Sequence, residues 1–169
     1  MSGPRVHALL RELEGAHEAL ERALEGITPR ELYTPPKEGE WSVAQVLAHT
    51  IEMEPFWLRK VLLARQQEAP TLARATEAER EQRLRAVAEH GQDSLPVILS
   101  RMAEAHAEAV SILLRLDEAD LARPCVYQNR RMTVQAFIES VARHLREHEA
   151  QIRATREALA TPGQTAPAR

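Results

Sequence analysis

An all-α fold built as a four-helix bundle is predicted by three properties of the sequence. The 169 residues are dominated by alanine, leucine, glutamate and arginine, all of which favour helices. Glycine is scarce, with 6 residues, and aromatic residues make up 4% of the chain. Four long segments repeat apolar residues at the three- and four-residue intervals that place them on one face of a helix. Four such helices, joined by one long and one medium connection, can pack as a bundle.

The first long helix is predicted from about Pro4 to Glu25, because valine and leucine recur there with a helical period. Gly26 ends this helix. A proline-rich loop follows, in which the pattern from Thr28 to Glu31 is that of a capping box and predicts one short helical turn.

The second long helix begins after Ser42, which is a good N-cap, and runs to about residue 65. Pro55 lies inside this helix and is expected to kink it. A shorter helix over residues 76–90 is heavily charged, and we interpret it as a connector at the surface.

The third long helix is predicted over residues 94–116 and the fourth over residues 133–159, where Thr133 is the N-cap. The connection between them, residues 117–132, contains a short extended piece around Val126. The predicted bundle thus has four long helices and one short extra connector helix.

Composition limits the partners and the location that we expect. The net charge is −3 and no basic block is present, so nucleic-acid binding has no electrostatic support. No apolar run has the length of a membrane span, and the first residues lack the apolar region of a signal peptide. A single cysteine, Cys125, fits a reducing cytoplasm. We expect residues 1–160 to form one domain and residues 161–169 to be a disordered tail.

The fourth helix carries two histidines at the spacing of a metal site. His144 and His148 are four residues apart, so their Cβ atoms lie about 5–6 Å apart on one face. His148 falls on the apolar stripe between Leu145 and Ile152, and His144 flanks that stripe. Two imidazoles at this spacing can bind one metal ion, whereas an inward imidazole without a partner is costly. A pair of hydrogen-bonded core histidines is the alternative interpretation.

A third ligand is required, because catalytic zinc sites take three protein ligands and keep one position open. His49 is the best candidate, since it lies between Val46 and Met53 on an inward face of the second helix. Glu52, one turn later, is the best candidate for a catalytic base, although it could equally be a solvated carboxylate. Other polar residues one turn from the histidines, each a possible hydrogen-bond partner for them, are Gln45, Glu147 and Gln151.

Together these residues carry a resemblance to a known family. Trp41-Ser42 precedes His49, and the pair His144 and His148 follows much later in the chain. In this pattern the chain resembles the DinB-like superfamily, also called YfiT-like, over nearly its whole length. The individual motifs are short, and their combination carries the resemblance.

The resemblance implies a bundle in up-down-down-up order and a site in which His49, His144 and His148 hold a divalent ion such as Ni²⁺ or Zn²⁺. It also implies a homodimer and a small-molecule substrate. Better-characterised relatives use bacillithiol or mycothiol, as S-transferases or as maleylpyruvate isomerase, while others are described as metal-dependent hydrolases. A low-molecular-weight thiol is therefore a candidate cofactor.

Two hypotheses about function follow. The first is a metal-dependent enzyme of the thiol-dependent S-transferase or hydrolase type. The second is a stress-related bundle that binds a metal or a small ligand without turnover. A cavity that opens beside the metal position would favour the enzyme, and a sealed site would favour the binding protein.

Other residues receive less specific interpretations. His17 and His106 lie on or near apolar stripes and are read as hydrogen-bonded core residues, and Cys125 as a passive thiol. An apolar surface formed by Trp57, Leu58 and Leu62 is expected to support the homodimer. Ferritin-like di-metal sites and Gly-x-Ser-x-Gly hydrolases are rejected, because their motifs are missing or incomplete.

Overall fold

The computed structural model describes residues 3–160, and the predicted tail at residues 161–169 lies outside this range. Four long helices and three shorter ones are present among the described residues, together with one β-hairpin. The helices are α1 Pro4–Leu24, α2 Pro29–Tyr33, α3 Val43–Val61, α4 Glu77–His90, α5 Leu95–Leu114, α6 Glu118–Ala122 and α7 Val134–Ala160; the strands are β1 Pro124–Tyr127 and β2 Arg130–Thr133. A short 3₁₀ turn, Leu62–Arg65, extends α3. The prediction of a four-helix bundle with a short extra connector helix is confirmed.

The four long helices form a ring in which each one packs against two others. Helix α1 packs against α7 and α5, and α3 packs against the same two helices. Helices α1 and α3 therefore face each other across the middle of the bundle. The connector helix α4 packs on the outside of α3, where it can form part of a site that α3 contributes to.

Local sequence signals set the helix starts. The side chain of Ser42 accepts a hydrogen bond from the backbone of Gln45, whose own side chain accepts one from the Ser42 backbone, so a capping box begins α3. Thr28 and Thr76 begin α2 and α4 in the same way. Gly26 adopts a φ of 64° just beyond α1, a conformation that glycine reaches without strain.

The connection before α7 is more ordered than the sequence predicted. Strands β1 and β2 pair antiparallel around Gln128 and Asn129, both of which have positive φ. The backbone of Val126 also pairs with the segment after α3, because its N–H donates to Pro70 and its carbonyl accepts from Leu72. This small hairpin fixes Tyr127 near the start of α7.

One hydrophobic core joins the four long helices, and it alters one expectation about the surface. Leu58 is fully buried in that core, while Trp57 and Leu62 are half-buried and pack against it. Leu58 therefore cannot belong to the apolar surface expected from these three residues, whereas Trp57 and Leu62 are partly exposed. No helix of the described range is long and apolar enough to cross a membrane.

Candidate metal centre

The three histidines predicted as ligands come together where α3 and α7 pack. One ring nitrogen from each of His49, His144 and His148 lies within 4.8 Å of the other two. The ring centroids of His144 and His148 are 4.4 Å apart, and the His49 ring lies 5.1 Å from His148 and 6.2 Å from His144. His49 and His148 are buried, and His144 is half-buried. This arrangement brings three nitrogen donors within reach of one ion.

Two hydrogen bonds determine which nitrogen of each α7 histidine is free. Nδ1 of His144 lies 2.8 Å from Oε2 of Glu147, and Nδ1 of His148 lies 3.0 Å from Oε1 of Gln151. A carboxylate and an amide oxygen can only accept, so both Nδ1 atoms carry the hydrogen. In a neutral ring the other nitrogen, Nε2, then has a lone pair available for a metal.

The two free lone pairs point at the same place. Nε2 of His144 and Nε2 of His148 are 3.1 Å apart, a distance at which two neutral acceptors repel unless a cation or a proton lies between them. Nδ1 of His49 is buried and has no hydrogen-bond partner in the described structure, which is costly for a ring without another role. The donor set therefore fits a divalent ion that imidazole nitrogens favour, such as Zn²⁺ or Ni²⁺.

The environment of His49 and His148 favours their neutral forms. Burial, with the charges of His148 and Arg83 as smaller contributions, lowers the pKa of His49 to about 3. Burial also lowers the pKa of His148. Protons compete with metals for imidazole, so rings that remain neutral near pH 7 are suited to metal binding.

A cavity of about 550 Å³ opens beside two of the histidines. His49 and His144 contribute to its wall, next to Trp57 and Tyr127. The Trp57 ring lies 5.5 Å from the His144 ring and 5.6 Å from the Tyr127 ring, so the aromatic side chains form one continuous surface. The site is thus open to a small molecule rather than sealed in the core.

The opposite wall of the cavity is strongly basic. Arg80 and Arg83 project from α4, and Arg74 lies just before that helix. Glu77, which also lines the cavity, pairs with Arg80 at 2.7 Å. Arg83 makes no ion pair or hydrogen bond within the described range, so its charge is available to a ligand. The connector helix, interpreted from the sequence as a surface element, therefore forms a wall of the site.

Glu52, predicted as a catalytic base, does not line this cavity. Its carboxylate forms an ion pair with Arg74, and both side chains are about nine-tenths buried. The Arg74 guanidinium also lies 4.0 Å from the centre of the Phe56 ring and donates to the carbonyl of Glu79. Glu52 therefore contacts a residue of the cavity wall, Arg74, without lining the cavity itself. Its role as a base stays a prediction.

Two further residues differ in what they touch. Gln45, considered as a partner of His49, instead caps α3 through Ser42. Cys125 is fully buried, and burial raises the pKa of its thiol to about 11, so it is not a nucleophile at neutral pH. Glu147 and Gln151 do contact the histidines next to them, as the spacing along α7 suggested.

Comparison with known proteins identifies the family of this chain. The model of the DinB superfamily matches residues 12–152, and the chain belongs to that superfamily. A protein of Bacillus mycoides that is named as a candidate metal-dependent hydrolase is 29% identical over 153 residues, which cover 89% of this chain and 84% of that protein.

Two solved structures share the fold. YfiT from Bacillus subtilis, described as "a probable metal-dependent hydrolase with an unusual four-helix bundle topology", has a TM-score of 0.73 at 20% identity and covers 94% of this chain and 90% of its own. The mycothiol-dependent maleylpyruvate isomerase has a TM-score of 0.69 at 13% identity, over 87% of this chain and 60% of the isomerase. At these identities the two structures establish the bundle, while activity has to be argued from the site.

Proposed function

We propose that this protein is a metal-dependent enzyme that uses His49, His144 and His148 to hold a divalent ion and acts on a small anionic molecule. The reaction is of the hydrolase or thiol-dependent S-transferase type. The single observation that carries this proposal is the cavity of about 550 Å³ whose wall includes His49 and His144. A purely structural metal site has no need of such an opening.

The bound ion would supply a positive charge that lowers the pKa of a water or thiol at its open coordination position. The protein contributes orientation. Glu147 and Gln151 hold the α7 imidazoles with Nε2 turned inward, and partners of this kind strengthen metal binding. The Trp57 and Tyr127 rings cover one side of the cavity and restrict the access of bulk water.

The arginines of the cavity wall support an anionic substrate. Arg83 lines the cavity without an ion pair in the described range, beside Arg74 and Arg80, which are paired with Glu52 and Glu77. Guanidinium groups bind carboxylates and phosphates through paired hydrogen bonds, and such charge-assisted bonds are stronger than neutral ones. A substrate or a thiol cofactor that carries a carboxylate could therefore place its anionic group on α4 and its reacting group near the histidines.

The experiment is a screen of zinc- and nickel-loaded protein against activated esters and electrophiles, with and without low-molecular-weight thiols. We expect turnover that depends on the metal and that is abolished in His148→Ala but not in His7→Ala, which removes an exposed histidine of α1. Absence of metal-dependent turnover across several metals and thiols, in protein that binds the ion, would favour the non-catalytic binding protein instead.

The proposal also includes a homodimer, which rests on the family resemblance. A location in the cytoplasm is proposed as well, and it rests on the single cysteine. Four large apolar side chains are exposed on the described surface, at Leu84, Val97, Leu99 and Leu114. Sedimentation at micromolar concentration tests the dimer. One species near the chain mass of 19.0 kDa would contradict it.

A further inference from the structure

A second group of metal-binding side chains lies in the bundle, separate from the three-histidine site. His17 of α1, Glu54 of α3 and His106 of α5 each place one ligand atom within 4.8 Å of the other two. Because α1 and α3 face each other across the bundle, this cluster joins helices that otherwise have little contact. His17 and His106, interpreted from the sequence as separate core residues, are thus parts of one group.

Direct contacts hold the cluster together. Nε2 of His17 is 2.7 Å from Oε2 of Glu54, and the His17 and His106 rings lie 4.1 Å apart. Glu54 is 1% exposed and His17 is 8% exposed, while His106 is half-buried and reaches the surface. A charged carboxylate at this depth requires a compensating positive charge.

The contact with His17 leaves two polar atoms without a partner. Oε1 of Glu54 and Nδ1 of His106 are both buried and form no hydrogen bond within the described part of the chain. Native proteins rarely leave such atoms unsatisfied, because burial of a polar atom without a hydrogen-bond partner is costly. A positive charge on His17 would balance the charge of Glu54, but Oε1 of Glu54 and Nδ1 of His106 would still have no hydrogen-bond partner.

The space beside the cluster is small and largely apolar. About 180 Å³ of unfilled space lies next to His17 and Glu54, with no room for a water molecule. Its other walls are formed by Leu20, Ile51, Met102, Ala105 and Leu145 together with Thr50. The hydroxyl of Thr50 is already used, because it donates to the carbonyl of Leu47. Neither this space nor these neighbours supply a partner for Oε1 of Glu54.

We propose that His17, Glu54 and His106 bind a second divalent cation, of the first-row transition metals, that ties α1, α3 and α5 together. Two imidazoles and one carboxylate are an established donor set for Zn²⁺ and for related ions. An ion bound here would give these three side chains a common partner and balance the buried carboxylate. Glu14 and Glu21, exposed on α1, add negative potential at His106, where an ion could enter.

The surroundings distinguish this site from the first. Arg83 and Arg74 place positive charge near His49, whereas Glu54, Glu14 and Glu21 place negative charge near His106. No cavity for a substrate opens beside the second cluster, so its ion would tie the three helices together rather than take part in a reaction. This inference concerns different side chains from the proposed function and does not depend on it.

The test is the stoichiometry and affinity of Zn²⁺ binding to the full chain, measured by equilibrium dialysis and by the visible absorption of bound Co²⁺. We expect two ions per wild-type chain and one in Glu54→Gln, which keeps the size of the side chain but removes its charge. The matched control Glu12→Gln alters an exposed carboxylate of α1 that does not act on His106 and should keep two. Bound Zn²⁺ should also raise the Tm of a His49→Ala variant, in which the first site is broken.

The outcomes separate the two sites. Binding of one ion that is lost in Glu54→Gln but kept in His49→Ala would support the second site and contradict the first. Binding of one ion that is kept in Glu54→Gln, or of two ions that are both kept there, would overturn this proposal. If Glu54→Gln fails to fold, as judged by circular dichroism, His106→Ala replaces it, because that side chain is half-buried and its Nδ1 has no partner to lose.

Discussion

Nε2 of His144 lies 3.1 Å from Nε2 of His148, and the hydrogen bonds on the opposite sides of the two rings leave each of these atoms with a lone pair. This relationship makes α7 a preformed half of a metal site. Packing of α7 against α3 adds His49 and completes a set of three nitrogen donors.

The partner of His144 should strengthen metal binding without being a ligand. We predict that Glu147→Gln weakens Zn²⁺ binding at this site by about 10- to 100-fold, the usual effect of losing such a partner, because the ring loses a charged acceptor that increases its basicity. Competition with a chromogenic chelator measures the affinity. Glu149→Gln is the control on the same helix, and an equal loss there would assign the effect to net charge alone.

The metal-free protein should lose stability as the pH falls below 6.5. The pKa of His49 is lowered to about 3 and that of His148 is also lowered, so the unfolded chain binds more protons than the folded one in this window. For His49, each pH unit between 6.5 and about 3 removes up to about 1.4 kcal/mol, and His148 adds to this loss in the same direction. Above pH 6.5 these residues should contribute no slope.

Urea unfolding at pH 7.0, 6.0 and 5.0 measures this dependence. Most carboxylates stay charged over that range, and Glu31, whose pKa is lowered to about 2 by hydrogen bonds from Thr28, contributes only at lower pH. His49→Gln should reduce the slope by about one proton. A free energy of unfolding that is constant from pH 7.0 to 5.0 would show that the burial of these rings is not coupled to folding.

Arg83 should recognise the anionic group of a substrate. We predict that Arg83→Gln raises KM by about tenfold or more, since a lost charge-assisted hydrogen bond is worth about 1.5–3 kcal/mol, while kcat changes little. Arg85→Gln is the control, because Arg85 lies on the same helix but lines a different pocket. Equal KM values for the wild type and Arg83→Gln on an anionic substrate would remove this role.

Glu52 can act either as a base or as the residue that holds Arg74. As a base, Glu52→Gln should leave metal binding intact and should reduce hydrolysis more than thiol transfer, because a metal-bound thiol needs no dedicated base. If Glu52 instead positions Arg74, Glu52→Gln should lower the rates of both reactions by as much as Arg74→Gln does. Parallel kinetics of the two variants, on one substrate of each type, distinguish these roles.

The sequence predicted the fold well because the information for it is local. The Thr76 capping box marks the start of α4, and the glycine at position 26 marks the end of α1. The histidines of α7 could be paired from their spacing alone, and an inward-facing His49 was the natural third member. The hairpin was only partly predicted, since Gln128-Asn129 is a weaker turn signal than Asn-Gly.

Features that depend on long-range contacts could not be predicted in the same way. Glu54 was not singled out, because a glutamate two residues after Glu52 gives no sign from sequence that it turns into the bundle. The basic wall was also missed, since the charge on α4 is typical of an exposed helix. Only the packing of α4 on α3 shows that Arg83 faces the histidines.

The most direct test of the account is the Zn²⁺ content of His49→Ala, His144→Ala and His148→Ala after equal loading, measured in the Glu54→Gln background so that the second cluster does not contribute. The account predicts that Glu54→Gln alone, and Glu54→Gln with His7→Ala, retain one ion per chain, and that each of the three substitutions removes it. Retention of the ion with unchanged affinity in any of the three would show that the substituted histidine is not a ligand.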